Sequence, residues 1–136
     1  MTWLIAEDDN AIRDILITIC ELWEFEAIAF RDGYETSEYL THLSPAAPLP
    51  DVALLDIRMP GPGGHELAAE IRQHPLLKDI GIVLMTAYEL PAPEEEAYLH
   101  SSGADALLYK PLPPMEELLQ TMQRVAARRT TQVSQG

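Results

Sequence analysis

The sequence predicts an α/β fold in which a doubly wound, five-stranded parallel sheet carries helices on both faces. The first observation is that five short apolar runs alternate with five stretches of helical periodicity along the 136 residues. The second is that these runs are apolar almost throughout, as in parallel strands that are buried on both faces. A regular strand-then-helix order of this kind is typical of an open sheet with helices packed on each side.

Each predicted strand is a run of four to six mostly apolar residues bounded by turn-forming or polar residues. In chain order, the five predicted strands are Trp3–Ala6, Glu26–Phe30, Val52–Asp56, Gly81–Thr86 and Ala106–Tyr109. The segment 44–50 between the second and third units contains three prolines, so we exclude regular structure there.

The predicted helices are supported by apolar residues at helical spacing and by signals at the helix ends. The first helix is predicted to be amphipathic, because its apolar residues fall at helical spacing: Ile12, Ile15, Leu16, Ile19 and Leu22 or Trp23. Prolines followed by three glutamates suit the N-terminus of the fourth helix, and Gly103 ends it. The helices are predicted over residues 11–23, 34–43, 65–73, about 91–102, and from Met115 through Val125.

The composition limits the function classes. Hydrophobic residues make up 47% and charged residues 23%, as in folded globular proteins. Nine basic against 22 acidic residues give a net charge of −13, which disfavours a nucleic-acid or anionic-membrane binder. No apolar run approaches the roughly 20 residues of a membrane span, and one cysteine excludes an internal disulfide. We therefore expect one cytoplasmic domain over residues 1–129, followed by a polar tail over residues 130–136.

Polar side chains with related chemistry follow four of the predicted strands. Glu7 and Asp8 follow the first strand, Asp56 ends the third, Thr86 ends the fourth, and Lys110 follows the fifth. The carboxyl ends of parallel strands meet at one edge of such a sheet, where ligands bind. Carboxylates about 4–5 Å apart repel by roughly 3–4 kcal/mol per pair at an effective dielectric near 20, so they need a cation. Oxygen ligands favour Mg²⁺, which with a lysine and a hydroxyl makes a receptor for a phosphoryl group.

The sequence around these residues resembles the receiver domain of two-component response regulators. The resemblance covers about residues 2–128 and implies a flavodoxin-like receiver fold. The stretches that carry it are Leu4–Arg13, Asp51–Gly61, Ile82–Tyr88 and Gly103–Pro111.

The resemblance implies a role for each residue at this edge. Asp56 would accept a phosphoryl group from the phosphohistidine of a histidine kinase. Asp8 and Asp56 would bind Mg²⁺ directly, Glu7 would act through water, and the backbone carbonyl of Arg58 would complete the protein ligands.

Two further residues are implied to bind the transferred group. Thr86 would donate a hydrogen bond to one phosphoryl oxygen, and Lys110 would pair with another. The Lys110–Pro111 peptide bond is expected to be cis.

The sequence departs from the family pattern at the position three residues before the lysine. The family usually carries an aromatic switch residue there, whereas this chain has Leu107 and places its ring at Tyr109. Strand alternation gives both side chains the same facing, so Tyr109 could replace the missing ring, or both could serve packing alone. Arg58 and Tyr88 occupy positions that influence water access in this family, and their bulk predicts a long-lived acyl phosphate.

These inferences favour a single-domain response regulator that signals by phosphorylation-dependent protein–protein interaction. Its expected partners are a sensor histidine kinase or phosphotransfer protein, and downstream another protein or another copy of this chain. It would catalyse its own phosphotransfer and dephosphorylation. One alternative is a receiver-like scaffold that acts independently of phosphorylation. A phosphatase of the haloacid dehalogenase type fits poorly. That class has its nucleophile on the first strand and an acid two residues later, whereas here Asp56 is on the third predicted strand and Arg58 stands two residues later.

Overall fold

Five strands and five helices alternate along the chain in a computed structural model that describes residues 1–135, with side chains for residues 1–127. The strands are β1 (Thr2–Ala6), β2 (Glu26–Phe30), β3 (Val52–Asp56), β4 (Gly81–Thr86) and β5 (Ala106–Tyr109). The helices are α1 (Asn10–Leu22), α2 (Gly33–Thr41), α3 (Gly64–Gln73), α4 (Ala92–Ser102) and α5 (Met115–Gln135).

The predicted elements are confirmed, and their ends agree closely with the structure. Four strands have the predicted bounds, and β1 is one residue longer. The first four helices begin and end within two residues of their predicted limits. The fifth helix continues to Gln135, into the segment expected as a polar tail, whose last residue, Gly136, lies outside the described residues. The division into a domain over 1–129 and a tail over 130–136 stays a prediction.

The sheet has the strand order β2-β1-β3-β4-β5, and every pair is parallel. The chain moves from β1 to one edge of the sheet through β2 and then crosses back to β3, so the winding reverses between β1 and β3. This reversal places the carboxyl ends of β1 and β3 side by side. The predicted doubly wound α/β fold is confirmed.

Each face of the sheet is covered by its own set of helices. Residues of α1 and α5 pack with alternate strand residues on one face, and α2, α3 and α4 cover the other. All five residues of β3 and all six of β4 are buried, as expected for central strands between two helical layers. None of the helices in the described part of the chain has the length and apolar composition needed to span a membrane.

The first residue of α3 packs directly on the end of β3. A Cβ atom added to Gly64 would lie 2.6 Å from the carbonyl oxygen of Asp56 and 2.8 Å from that of Leu55. Only glycine allows this approach between the helix and the strand, so the close packing fixes where the β3 end lies.

We expect Gly64→Ala to lower the free energy of unfolding by about 1–3 kcal/mol, because the added methyl group must displace the Asp56 carbonyl. Urea denaturation measures this change. Ser101→Ala, at an exposed position of α4, is the control and should stay within about 0.5 kcal/mol of wild type. A Gly64→Ala protein as stable as wild type would contradict the close contact.

Candidate functional site

The predicted site residues meet at the carboxyl edge of the sheet. Glu7 and Asp8 leave β1, Asp56 is the last residue of β3, Thr86 is the last residue of β4, and Lys110 follows β5. The β-ladder extends beyond the last strand residue, because the Lys110 N–H donates to the Thr86 carbonyl over 2.8 Å. Backbone pairing therefore positions these groups.

A buried ammonium joins two of the carboxylates. Lys110 Nζ lies 2.5 Å from Glu7 Oε1 and 2.9 Å from Asp56 Oδ2. Glu7 is fully buried, and Asp56 is 3% exposed. Burial alone would lower the pKa of Lys110, but the two carboxylates outweigh it and raise that pKa. The ammonium therefore stays charged and holds the ends of β1, β3 and β5 together.

The environment of Glu7 favours its protonated form. Burial raises the pKa of Glu7 to about 7, and the hydrogen bond and charge of Asp56 act in the same direction. The contacts with Lys110 and with the Asp9 N–H, which lies 3.2 Å from Glu7 Oε2, oppose that shift. Near neutral pH the two buried carboxylates thus compete for one stabilising cation.

The acidic cluster has the chemistry of a hard-cation site. Carboxylate oxygens of Glu7, Asp8 and Asp56 lie within 4.8 Å of one another. Three carboxylates face the single ammonium of Lys110, so negative charge is in excess when all are ionised. Oxygen donors alone, with one exposed member that leaves room for water, are the set that Mg²⁺ prefers. The residues present therefore fit this ion.

Two loops flank Asp56 and contact each other. The Arg58 N–H donates to Asp56 Oδ1 over 3.1 Å, and the Arg58 guanidinium lies 4.1 Å from the centre of the Tyr88 ring. Thr86 is 2% exposed, and its hydroxyl oxygen accepts a hydrogen bond from the Tyr88 N–H over 3.2 Å. That oxygen's own proton can still be donated elsewhere. The role of the Arg58 carbonyl as a metal ligand stays a prediction.

The two β5 residues at the unusual positions have different surroundings. Leu107 packs against the buried cluster beneath α2, α3 and α4. The Tyr109 hydroxyl donates to Glu95 Oε2 in α4 over 3.0 Å, with a longer contact of 3.5 Å to the Leu90 carbonyl. Both side chains thus lie on the α4 side, as strand alternation predicts. The Lys110–Pro111 peptide bond is cis, as expected.

The contacts of two residues next to the acidic cluster were not predicted from the sequence. Asp9 caps α1 through Oδ1, which accepts the Ile12 N–H over 3.0 Å. Arg13 donates from Nη1 to the Glu7 carbonyl over 2.9 Å. A signal for Arg13 existed, because a cation in the first turn of a helix opposes the helix dipole and is unusual there.

Comparison with known proteins agrees with this geometry. The family model for the response regulator receiver domain matches residues 3–123. FilR2 of Methanothrix harundinacea is 30% identical over 125 residues, which span 90% of this chain and 79% of that protein. The phosphate regulon regulatory protein PhoB of Escherichia coli is 29% identical over 115 residues, 83% of this chain and 46% of its own length. The chain thus spans about half of PhoB.

A solved structure shows the same architecture. The chemotaxis response regulator CheY4 of Vibrio cholerae superposes with a TM-score of 0.77 at 27% identity, over 91% of this chain and 97% of the other. The family match covers all of the sheet except Thr2, and it includes the residues that meet at the carboxyl edge. The chain belongs to the response regulator receiver domain family.

Proposed function

We propose that this chain is a phosphorylatable receiver that accepts a phosphoryl group on Asp56 with Mg²⁺ in the acidic cluster. The observation that carries the proposal is the buried Glu7–Lys110–Asp56 bridge beside the exposed carboxylate of Asp8. Such a bridge positions a carboxylate nucleophile, and the uncompensated charge beside it suits a divalent cation. The donor is the phosphohistidine of a sensor histidine kinase or phosphotransfer protein, which family membership supports.

In the proposed reaction an Asp56 carboxylate oxygen attacks the phosphorus. The new O–P bond forms as the N–P bond to the donor imidazole breaks, and the imidazole nitrogen keeps the electron pair and takes up a proton. Lys110 and the Thr86 hydroxyl donate to phosphoryl oxygens, since an ammonium has three N–H groups and the hydroxyl keeps its proton. Positioning and charge neutralisation dominate such transfers.

Mg²⁺ in this site would neutralise charge on the nucleophile and on the phosphoryl oxygens. Asp8 and Asp56 would hold it directly, Glu7 through water, and the Arg58 carbonyl as a further ligand. Because a nearby divalent charge favours ionised carboxylates, binding would also lower the raised pKa of Glu7.

An apolar groove beside the site suits the protein that delivers the phosphoryl group. The groove has a volume of about 650 Å³ and lies between α1 and the segment from Pro111 to Leu118. It adjoins the site because Pro111 follows Lys110 directly, and it includes the exposed side chains of Ile15 and Met115. A donor protein bound in this groove would lie next to the segment that carries Lys110.

We place the output of the switch on the α4–β5–α5 surface, where another protein or another copy of this chain would read it. The support is the hydrogen bond from Tyr109 to Glu95, which joins β5 to α4 next to Thr86.

In this proposal the chain acts in the cytoplasm, a reducing compartment consistent with its free, buried Cys20.

Asp56→Asn should abolish phosphorylation, because the amide keeps the side-chain shape but removes the nucleophile. Intact-mass measurement after incubation with a small phosphodonor and Mg²⁺ should show one added phosphoryl group on wild type and none on the variant. Asp79→Asn, which changes an exposed acid in the turn before β4, should label like wild type. Labelling of Asp56→Asn would refute the assignment.

Asp8→Asn should weaken Mg²⁺ binding and leave the metal-free melting temperature unchanged or higher, because it removes carboxylate repulsion. Calorimetric titration and thermal unfolding without metal measure the two effects. The exposed acid Asp14 on α1 offers a matched control, and Asp14→Asn should leave Mg²⁺ affinity near that of wild type. A large loss of metal-free stability in Asp8→Asn would instead indicate a structural role.

The stacked pair of Arg58 and Tyr88 should prolong the life of the acyl phosphate by limiting water access to Asp56. We therefore expect faster loss of the phosphoryl group in Arg58→Asn and in Tyr88→Ala, followed by intact mass after removal of the donor. Trp23→Ala removes an exposed ring at the C-terminal end of α1 and serves as the control. Unchanged or slower decay in both loop variants would defeat the idea.

A further inference from the structure

We infer that Arg13 is a positioning residue for the metal site, because its guanidinium fixes the peptide between Glu7 and Asp8. The inference rests on the proposed function, in which those two acids take part in binding Mg²⁺. Arg13 Nη1 donates to the Glu7 carbonyl over 2.9 Å, and Nη2 lies 2.5 Å from Asn10 Oδ1. The fork of the guanidinium thus joins the end of β1 to the first turn of α1.

The Glu7 carbonyl is the point where the backbone of the acidic segment leaves the sheet. The Glu7 N–H still pairs with β2 through the Phe30 carbonyl over 3.1 Å. Its carbonyl is part-buried and accepts from Arg13. Because a peptide unit is planar, fixing that oxygen also fixes the N–H and Cα of Asp8.

Asp8 depends on this backbone anchor more than the other two acids do. Glu7 and Asp56 each contact Lys110 through their side chains. The Asp8 side chain is exposed, and no hydrogen bond or ion pair holds it among the described residues. Its carboxylate therefore lies within reach of Asp56 because the Glu7–Asp8 peptide is held in place.

The positive charge of Arg13 is unfavourable both for α1 and for binding of a cation to the acidic cluster. A cation in the first turn opposes the helix dipole, and a cation near the acidic cluster repels Mg²⁺. If charge were its main effect, its removal would strengthen metal binding. If positioning is its main effect, its removal weakens metal binding, so the sign of the change separates the two.

The test is calorimetric titration of Mg²⁺ into the full chain, for wild type, Arg13→Gln and Arg13→Lys. We expect each variant to raise the Kd by about 10-fold, the lower end of the effects seen for groups that orient metal ligands. A charge effect alone would lower the Kd for Arg13→Gln and leave it unchanged for Arg13→Lys. Arg31→Gln is the control, because it removes the same charge from an exposed residue that follows β2. The Kd of this variant for Mg²⁺ should stay at or below that of wild type.

A second variant keeps the inference testable if Arg13→Gln does not fold. Asn10→Ala leaves all charges in place and removes the oxygen that orients the guanidinium, so it should raise the Kd by a smaller factor. Wild-type affinity in Arg13→Lys, or tighter binding in Arg13→Gln, would overturn the role of Arg13. If wild type itself fails to bind Mg²⁺, the proposed function fails first, so the two failures are distinguishable.

Discussion

One ammonium group ties together the carboxyl ends of three strands in this structure. Lys110 follows β5, yet it reaches Glu7 after β1 and Asp56 at the end of β3. The strand order makes this possible, because the reversal of winding puts β1 and β3 next to each other in the sheet. Without that contact two buried carboxylates would face each other with no ammonium between them, and one would have to bind a proton to relieve the repulsion.

The Glu7–Lys110–Asp56 bridge does not balance the charge of the site, because Lys110 carries one positive charge beside three carboxylates. Burial and the neighbouring Asp56 together raise the pKa of Glu7 to about 7, and Asp8 adds a further carboxylate at the surface. Stability alone does not favour three carboxylates at one edge of a sheet, because they repel one another. In the proposed function, the same imbalance would provide affinity for a divalent cation and, through it, for a phosphoryl group.

Most of the fold could be predicted from the sequence, because each strand and helix is indicated by the pattern of apolar residues within its own segment. Apolar runs define buried strands, and topology then requires that the residues after those runs meet at one edge. The contacts of Arg13 and Tyr109 could not be predicted in this way. Each depends on where a long side chain points after helices have packed on the sheet, and residue spacing does not contain that direction.

The measurement that tests this account most directly is the free energy of unfolding as a function of Mg²⁺ concentration near pH 7.5, from urea denaturation. If the acidic cluster binds the ion only in the folded state, Mg²⁺ at ten times its Kd should stabilise the protein by about 1.4 kcal/mol. Sodium chloride at the same ionic strength should have a much smaller effect, because it screens the cluster without occupying it. Equal stabilisation by the two salts would contradict a specific divalent-cation site at the end of the sheet.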